Sequence, residues 1–203
     1  MDIFKRSQKL KIVDDGGIIA IANVKSYNDN LEFQESWTWK QLNDFILDKN
    51  KDNLIVFSTG FGGEWTMKFF INDISKKKYF RKFEQSIEVT DGCLYLVPWS
   101  DLTCTLQFPD TILPDGYNQD LKIKIKNGFY RVVVKQLFDP EDYDCESEKK
   151  VNFIVELFSQ NESSNTKIDS LAWTENFPND DSNFLSKKSD VFDDFLKNMK
   201  NEF

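Results

Sequence analysis

The most regular pattern of apolar and polar residues in this chain runs from Leu121 to Phe138. Apolar residues alternate with lysines up to Asn127-Gly128, and a run of mainly β-branched residues follows. Alternation with a period of two is typical of a strand with one buried face, and Asn-Gly favours the tight turn of a β-hairpin. We therefore predict a hairpin whose buried face holds Leu121, Ile123, Ile125, Tyr130, Val132 and Val134, and whose wet face holds Lys122, Lys124, Lys126, Arg131 and Lys135.

Three more turn signals separate apolar runs earlier in the chain. They are Asp14-Asp15-Gly16-Gly17, the glycine-rich stretch 59–63 and Thr90-Asp91-Gly92. Each predicts a further hairpin, and residues 151–158 are predicted to return beside the central hairpin. The stretch 59–63 does not predict a phosphate loop, because no Gly-Lys-Ser/Thr follows and the next element reads as a strand.

Helical spacing appears in four places. Residues 25–30, in contrast, predict a polar loop. A helix from about Lys40 to Asp48, capped by Thr38, presents Leu42, Phe45 and Ile46 on one stripe. A second begins at Trp99 with Ser100 or Asp101 as its cap, and a helical turn follows Ser75. Residues 185–203 predict an amphipathic C-terminal helix docked by a stripe rich in Phe.

These elements predict a mainly β protein. Seven to ten strands with turns every eight to twelve residues favour an antiparallel β-sandwich or curled sheet with two or three short helices. Nineteen Phe, five Trp and six Tyr can fill its core, and no linker or repeat divides the chain. We therefore expect residues 1–203 to form a single domain.

Composition narrows the possible functions. The chain has no His, which removes Ser-His-Asp triads, His-ligated metals and the usual proton shuttle near neutral pH. Its three Cys, at positions 93, 104 and 145, match neither a disulfide framework nor a metal knuckle. The first residues do not predict a signal peptide, and no apolar run is long enough to predict a membrane span. We expect a cytoplasmic protein that is not an enzyme and has no cofactor or metal.

The net charge of −8 is uneven. Residues 1–100 hold 14 Lys/Arg and 14 Asp/Glu, whereas residues 101–203 hold 12 and 20. An acidic balance disfavours nucleic acid and suits a basic protein partner. The basic run 75–83 interleaves Lys with aromatics, which also occurs in single-strand binders, but a solvated helix face is the preferred interpretation.

The candidate contact residues lie in two places. Residues 139–148 carry six carboxylates in ten residues, which is typical of a solvated loop, of a docking surface for a basic partner or, less often, of a cation site. A pair of Trp is typical of core anchors or of an interface. The candidates are Asp139, Glu141, Asp142, Asp144, Glu146, Glu148, Trp37 and Trp39.

Three patches together resemble a known group of proteins. They are residues 54–65; residues 87–97 with 102–108 and Leu113-Pro114; and residues 127–134 with Asp139-Pro140. The sequence resembles β-rich bacterial families found beside toxins, among the immunity proteins of polymorphic-toxin and secretion-system loci. It is more distantly similar to the competence protein J family, which inhibits a nuclease. The resemblance covers about half the chain and implies inhibition by binding, with no catalytic residues.

The leading hypothesis is an immunity protein that binds a cognate, basic toxin and occludes its active site. Such a protein would be a monomer or homodimer when free. One alternative is a carbohydrate- or Ca²⁺-binding β-sandwich that uses Trp37, Trp39 and Trp65 as a stacking platform. The other is an enzyme built on paired carboxylates, with Glu64 or Asp101 as candidates.

Overall fold

The computed structural model describes residues 7–32, 39–49, 52–142, 151–163 and 170–174. Within these residues, three α-helices and a 3-10 turn accompany the strands: α1 (Val24–Asp29), α2 (Trp39–Lys49), α3 (Trp99–Gln107) and the turn Pro140–Asp142. The strands are β1 (Ser7–Asp14), β2 (Ile18–Ala22), β3 (Leu54–Ser58), β4 (Gly63–Ile71), β5 (Arg81–Val89), β6 (Cys93–Pro98), β7 (Lys122–Lys124), β8 (Gly128–Gln136) and β9 (Phe153–Gln160). The predicted C-terminal helix lies outside the described residues.

The strands form two sheets that pack face to face. The first has the order β1-β4-β9-β8-β5, and the second has the order β3-β2-β6-β7. Neighbouring strands are antiparallel except β4 and β9, which run parallel. The prediction of a mainly β, largely antiparallel sandwich is confirmed. Its core is built from large apolar side chains of both inner faces, among them Ile12, Ile21, Phe57, Trp65, Phe69, Leu96, Ile123, Val132, Phe153 and Val155.

All four predicted hairpins are wrong in one respect: their two strands do not pair with each other. Strands β1, β4, β5 and β8 lie in the first sheet, whereas β2, β3, β6 and β7 lie in the second. Each turn signal therefore carries the chain across the core from one sheet to the other. The predicted buried face of the central hairpin is confirmed for five of its six residues. Those buried between the sheets are Ile123, Ile125, Tyr130, Val132 and Val134, and Leu121 is partly buried against them. The returning strand, β9, does pair antiparallel with β8, as predicted.

Asn127 shows how one of these crossings is held. Its side-chain Oδ1 accepts a hydrogen bond from the Gly92 amide at 2.6 Å, and its Nδ2 donates to the Thr90 carbonyl at 3.0 Å. The Ile125 amide also donates to the Gly92 carbonyl. The two adjacent crossings, β5 to β6 and β7 to β8, are thus fastened together, and Asn127 links two turns where a hairpin turn was predicted.

The helices cover the second sheet on the face turned away from the core. Tyr27 of α1, Phe45 and Ile46 of α2, and Leu102 of α3 are buried there. The helices at 39–49 and 99–107 are confirmed, but the predicted cap of the second is wrong, because Pro98 precedes its first turn and Ser100 and Asp101 lie within it. The loop predicted at 25–30 is a helical turn instead, because it brings Tyr27 inward, where its hydroxyl donates to the Leu102 carbonyl at 3.0 Å. No helix among the described residues is long and apolar enough to cross a membrane.

The segment from Asn72 to Phe80, called the strap below, joins β4 to β5 across the outer face of the first sheet. β5 runs in the same direction as β4, so the chain must return along the sheet between them. The strap is extended, and the predicted helix after Ser75 is wrong. Lys135, predicted to be wet, is 8% exposed under the strap.

Other contacts close the two open sides of the sandwich. On one side the Gln8 amide donates to the Lys124 carbonyl at 3.0 Å and accepts from the Lys124 amide at 3.1 Å, in place of a further strand pairing. On the other side Ala172 forms an isolated parallel bridge to Phe57, which is what the structure shows of the short strand predicted at 170–177.

Candidate functional site at the acidic end

The predicted acidic loop begins on a short, well-held turn. Asp139 is half-buried, whereas Glu141 and Asp142 are exposed in the 3-10 turn Pro140–Asp142. The Glu141 amide donates to Asp139 Oδ1 at 3.0 Å, and the Asp142 amide donates to the Asp139 carbonyl at 3.2 Å. The first part of the loop therefore has a defined shape, in which the Asp139 carboxylate braces the turn and the side chains of Glu141 and Asp142 are exposed. Asp144, Glu146, Glu148 and Trp37 lie outside the described residues, as does the side chain of Trp39, which begins α2.

Aromatic packing supports this turn from below. The Phe138 ring stacks on the buried Trp65 ring with centroids 5.2 Å apart and planes 9° from parallel. Phe153 meets both rings edge-on. Pro140 lies against Gly60 so closely that a Cβ on Gly60 would be 2.5 Å from the Pro140 Cβ. These contacts fix residues 138–142 to the core, so the acidic groups start from a rigid base.

Two further segments bring negative charge to the same end of the sandwich. The backbone of Asp15, which is exposed, packs against Gly62, and Trp99 packs against Gly16. Burial raises the pKa of Asp101 in the first turn of α3, and the nearby Asp115 and Asp15 carboxylates raise it further, against the hydrogen bond from Asn118 that lowers it. The acidic end, as we call it, therefore comprises the turn 14–17, the start of α3, the loop 108–120 and residues 139–142.

The loop 108–120 carries the most exposed aromatic residue of the described chain. Tyr117 is 97% exposed, and Ile112 and Phe108 are also exposed. The carboxylates of Asp110, Asp115 and Asp120 belong to the same loop. An aromatic in a loop rich in Asp is the signal that identifies this segment, and sequence alone could not show that Tyr117 is left outside the core.

Hydrogen bonds hold this loop in one shape. Asn118 Nδ2 donates to Asp101 Oδ2 at 2.6 Å, and the Tyr117 amide donates to Asp115 Oδ2 at 3.2 Å. Farther along, Asn28 Nδ2 donates to the Leu113 carbonyl at 2.8 Å, while the Leu113 amide donates to Asn28 Oδ1 at 3.3 Å. An exposed Tyr on an ordered loop loses little conformational entropy when a partner binds it.

The structure also describes residues of the alternative sites that the sequence predicted, namely a carbohydrate platform, a pair of catalytic carboxylates and a cation site. Trp65 is 1% exposed, so it cannot stack on a sugar, and that part of the carbohydrate platform is wrong. Glu64 forms an ion pair with Lys11 at 2.5 Å, and Asp101 accepts from Asn118 as above. Within the described segments, no group of three or more Cys, Asp and Glu is arranged to hold a metal ion.

A cavity of about 230 Å³ lies between α1, the 90–93 turn and Leu113-Pro114. Its amide side chains are engaged within the protein. Asn23 donates to Ser26 and accepts from Thr90, while Asn28 holds the Leu113 backbone in both directions. The amide groups of Asn23 and Asn28 are therefore not free to bind a ligand in this cavity.

Comparison with known proteins gives two distant likenesses. No known protein family and no curated protein matches the sequence. The product of crocagin biosynthetic gene J is 10% identical, with a TM-score of 0.48, over 76% of this chain and 97% of that chain. ComJ from Bacillus subtilis, inhibitor of the DNA degrading activity of NucA, is 13% identical, with a TM-score of 0.43, over 75% of this chain and 96% of that chain.

The structural neighbours thus include a nuclease inhibitor of the kind that the sequence resembles distantly. Neither of the two is a protein of a toxin locus by its description. At these identities and TM-scores neither likeness carries an argument about function, so function has to be argued from the geometry of the site.

Proposed function

We propose that this chain is an immunity protein: an inhibitor that binds a basic toxin and occludes the toxin's active site. One observation supports it above the others, namely that separate segments bring carboxylates and an exposed Tyr together at one end of a rigid sandwich. Asp15, Asp115, Glu141 and Asp142 supply the charge, and Tyr117 supplies the apolar anchor. The mode of action needs a surface and no catalytic group.

Charge and the aromatic anchor have different tasks in this proposal. Unneutralised carboxylates attract a basic partner over a distance of about a Debye length and accelerate association. A protruding Tyr that enters a pocket loses its hydration completely, and such residues dominate the lifetime of protein complexes. We expect Asp139, Glu141 and Asp142, together with the loop continuing to Glu148, to set the association rate, and Tyr117 to set the dissociation rate.

The partner has to be a protein whose active site is itself basic, since occlusion requires complementary charge at that site. Enzymes that act on nucleic acids have such sites because their substrate is a polyanion. A toxin of that class, encoded beside this chain, is the partner to test. The cytoplasm is where such a toxin would have to be neutralised.

The test is to purify the product of the neighbouring gene and measure its binding by surface plasmon resonance. We expect the triple variant Asp139→Asn, Glu141→Gln, Asp142→Asn to associate about tenfold more slowly at low salt and to lose part of its salt dependence. We expect Tyr117→Ala to dissociate about 30-fold faster, which corresponds to about 2 kcal/mol.

A matched control removes three exposed carboxylates elsewhere, with Asp29→Asn, Asp73→Asn and Asp91→Asn. This control changes the net charge equally and should slow association less than twofold. Equal effects of the two triple variants would remove the acidic turn from the interface. Failure of the wild-type chain to bind the neighbouring product, or to protect cells that express it, would contradict the immunity function.

A further inference from the structure

The strap gives the outer face of the first sheet a charge opposite to that of the acidic end. Residues 72–83 hold five cations, Lys76, Lys77, Lys78, Arg81 and Lys82, against one carboxylate, Asp73. Lys76, Lys77 and Lys78 are exposed, and none of the three makes an ion pair with another described residue. The net charge of −8 thus conceals a basic surface across the molecule's widest sheet.

Exposed apolar side chains accompany these cations. Ile74 is 64% exposed, Tyr79 is 45% exposed and Phe80 is 50% exposed. Tyr79 and Phe80, next to three consecutive lysines, are thus each about half exposed beside a row of positive charge, with Lys135 near the Tyr79 ring and Arg81 near the Phe80 ring. We call these two rings the platform.

The platform is fixed to the sheet by a buried ion pair. Lys135 Nζ donates to Glu156 Oε1 at 2.6 Å, and the same oxygen accepts from the Ser75 amide at 2.8 Å. The Lys135 ammonium also lies 5.6 Å from the centroid of the Tyr79 ring. The Phe80 amide donates to the Gln136 carbonyl at 2.8 Å. The strap is therefore held at both ends, with its aromatics already in place.

We propose that the strap binds single-stranded nucleic acid. Unpaired bases stack on Tyr79 and Phe80, and Lys76, Lys77 and Lys78 of the strap neutralise about three phosphates. Lys82 of β5, whose ammonium lies 3.4 Å from the exposed Glu84 carboxylate, exchanges this partner for a fourth phosphate. Unstacked bases present the flat faces that match exposed rings, whereas duplex DNA keeps its bases stacked inside. A lipid surface is less suited, because membrane contact favours a broader apolar insertion than Ile74 and two half-exposed rings provide. This activity is independent of the proposed inhibition and needs no protein partner.

The experiment titrates the full chain into fluorescein-labelled oligothymidylate of about 20 nucleotides and follows anisotropy from about 50 to 200 mM salt. We expect log K to fall with log salt with a slope of about −3, from about four contacts at about −0.7 each. Lys76→Ala, Lys77→Ala, Lys78→Ala should reduce the slope to about −1. Phe80→Ala should lower the affinity about tenfold and leave the slope unchanged.

The control replaces three exposed lysines at the other end of the molecule, with Lys25→Ala, Lys124→Ala and Lys126→Ala, and should retain the wild-type slope. Circular dichroism of every variant checks that it is folded. Several outcomes would overturn the proposal: no binding by the wild type at about 50 mM salt, an equal loss in the control, or equal binding of duplex DNA or polyglutamate. Binding to anionic phosphatidylserine vesicles through the same lysines, without binding to the oligonucleotide, would assign the surface to lipid instead.

Discussion

Lys135 and Glu156 form a buried ion pair on the outer face of a sheet, with Nζ and Oε1 2.6 Å apart and the side chains 10% and 4% exposed. An ion pair in this position is unusual because the outer face of a two-sheet sandwich normally meets solvent. The strap covers it and uses the same carboxylate to accept the Ser75 amide. The Glu156 carboxylate therefore binds both Lys135 of the sheet and Ser75 of the strap.

We expect Lys135→Met to destabilise the fold by about 3 kcal/mol, since it leaves the Glu156 carboxylate buried without its counter-ion. The double variant Lys135→Met, Glu156→Leu should be closer to the wild type, because it leaves no unpaired charge. Urea unfolding of the two variants measures the difference. A double variant less stable than the single one would contradict the explanation that the loss comes from an unpaired buried charge.

Gly60 should not accept a side chain. Its φ of +101° lies where L residues are strained, and a Cβ would meet the ring of Pro140 at 2.5 Å. We expect Gly60→Ala to cost about 2 kcal/mol or more in the free energy of unfolding and to displace the acidic turn. Gly116→Ala is the control, since nothing lies within 4 Å of its Cβ position, and it should change stability by less than about 0.5 kcal/mol.

Asp14 should make stability depend on pH. It is 1% exposed, its Oδ1 accepts from the Gly16 amide, and its Oδ2 has no hydrogen-bond partner among the described residues. Burial raises the pKa of this carboxyl from 3.8 to about 6. The folded state therefore holds the proton more tightly than the unfolded state does, and the stability from this group is present below pH 3.8 and is lost as pH rises through about 6.

The change from about pH 4 to pH 7 should be on the order of 2–3 kcal/mol from Asp14 alone. Asp14→Asn should lack this part of the pH dependence, so its stability relative to the wild type should increase by that amount over the same range. Urea unfolding at both pH values measures it. Parallel pH profiles for the two proteins would contradict the raised pKa.

Asn127 should contribute to stability through its side chain. Loss of its hydrogen bonds to Gly92 and Thr90 in Asn127→Ala should cost about 1–2 kcal/mol, because two turns are released from each other. Asn127→Asp keeps the acceptor for the Gly92 amide and should be intermediate. If Asn127 acted only within its own hairpin turn, Asn127→Asp would cost little stability, because hydrogen bonds to Gly92 and Thr90 would not contribute. Thermal unfolding of the two variants therefore distinguishes a hairpin turn from two linked turns.

The candidate site was predictable in part. The run of carboxylates from Asp139 onwards is visible in the sequence because charge density needs no tertiary information. Tyr117 was not visible as a surface residue, since an aromatic side chain in a loop is equally compatible with burial. The proximity of the Asp15, Asp101 and Asp115 carboxylates was also hidden, because these residues come together only when three distant segments meet at one end of the sandwich.

By itself the sequence determined the inward faces of most strands and of the helix α2. Alternation fixed the inward faces of the strands, including Ile123, Ile125, Tyr130 and Val132, and helical spacing fixed Phe45 and Ile46 in α2. Only the tertiary structure decided which strands pair. The apolar face of a strand is buried between the two sheets whichever sheet the strand joins, so alternation does not distinguish the two arrangements. That choice depends on contacts between residues far apart in the chain, such as Gln8 with Lys124, and no local pattern encodes them.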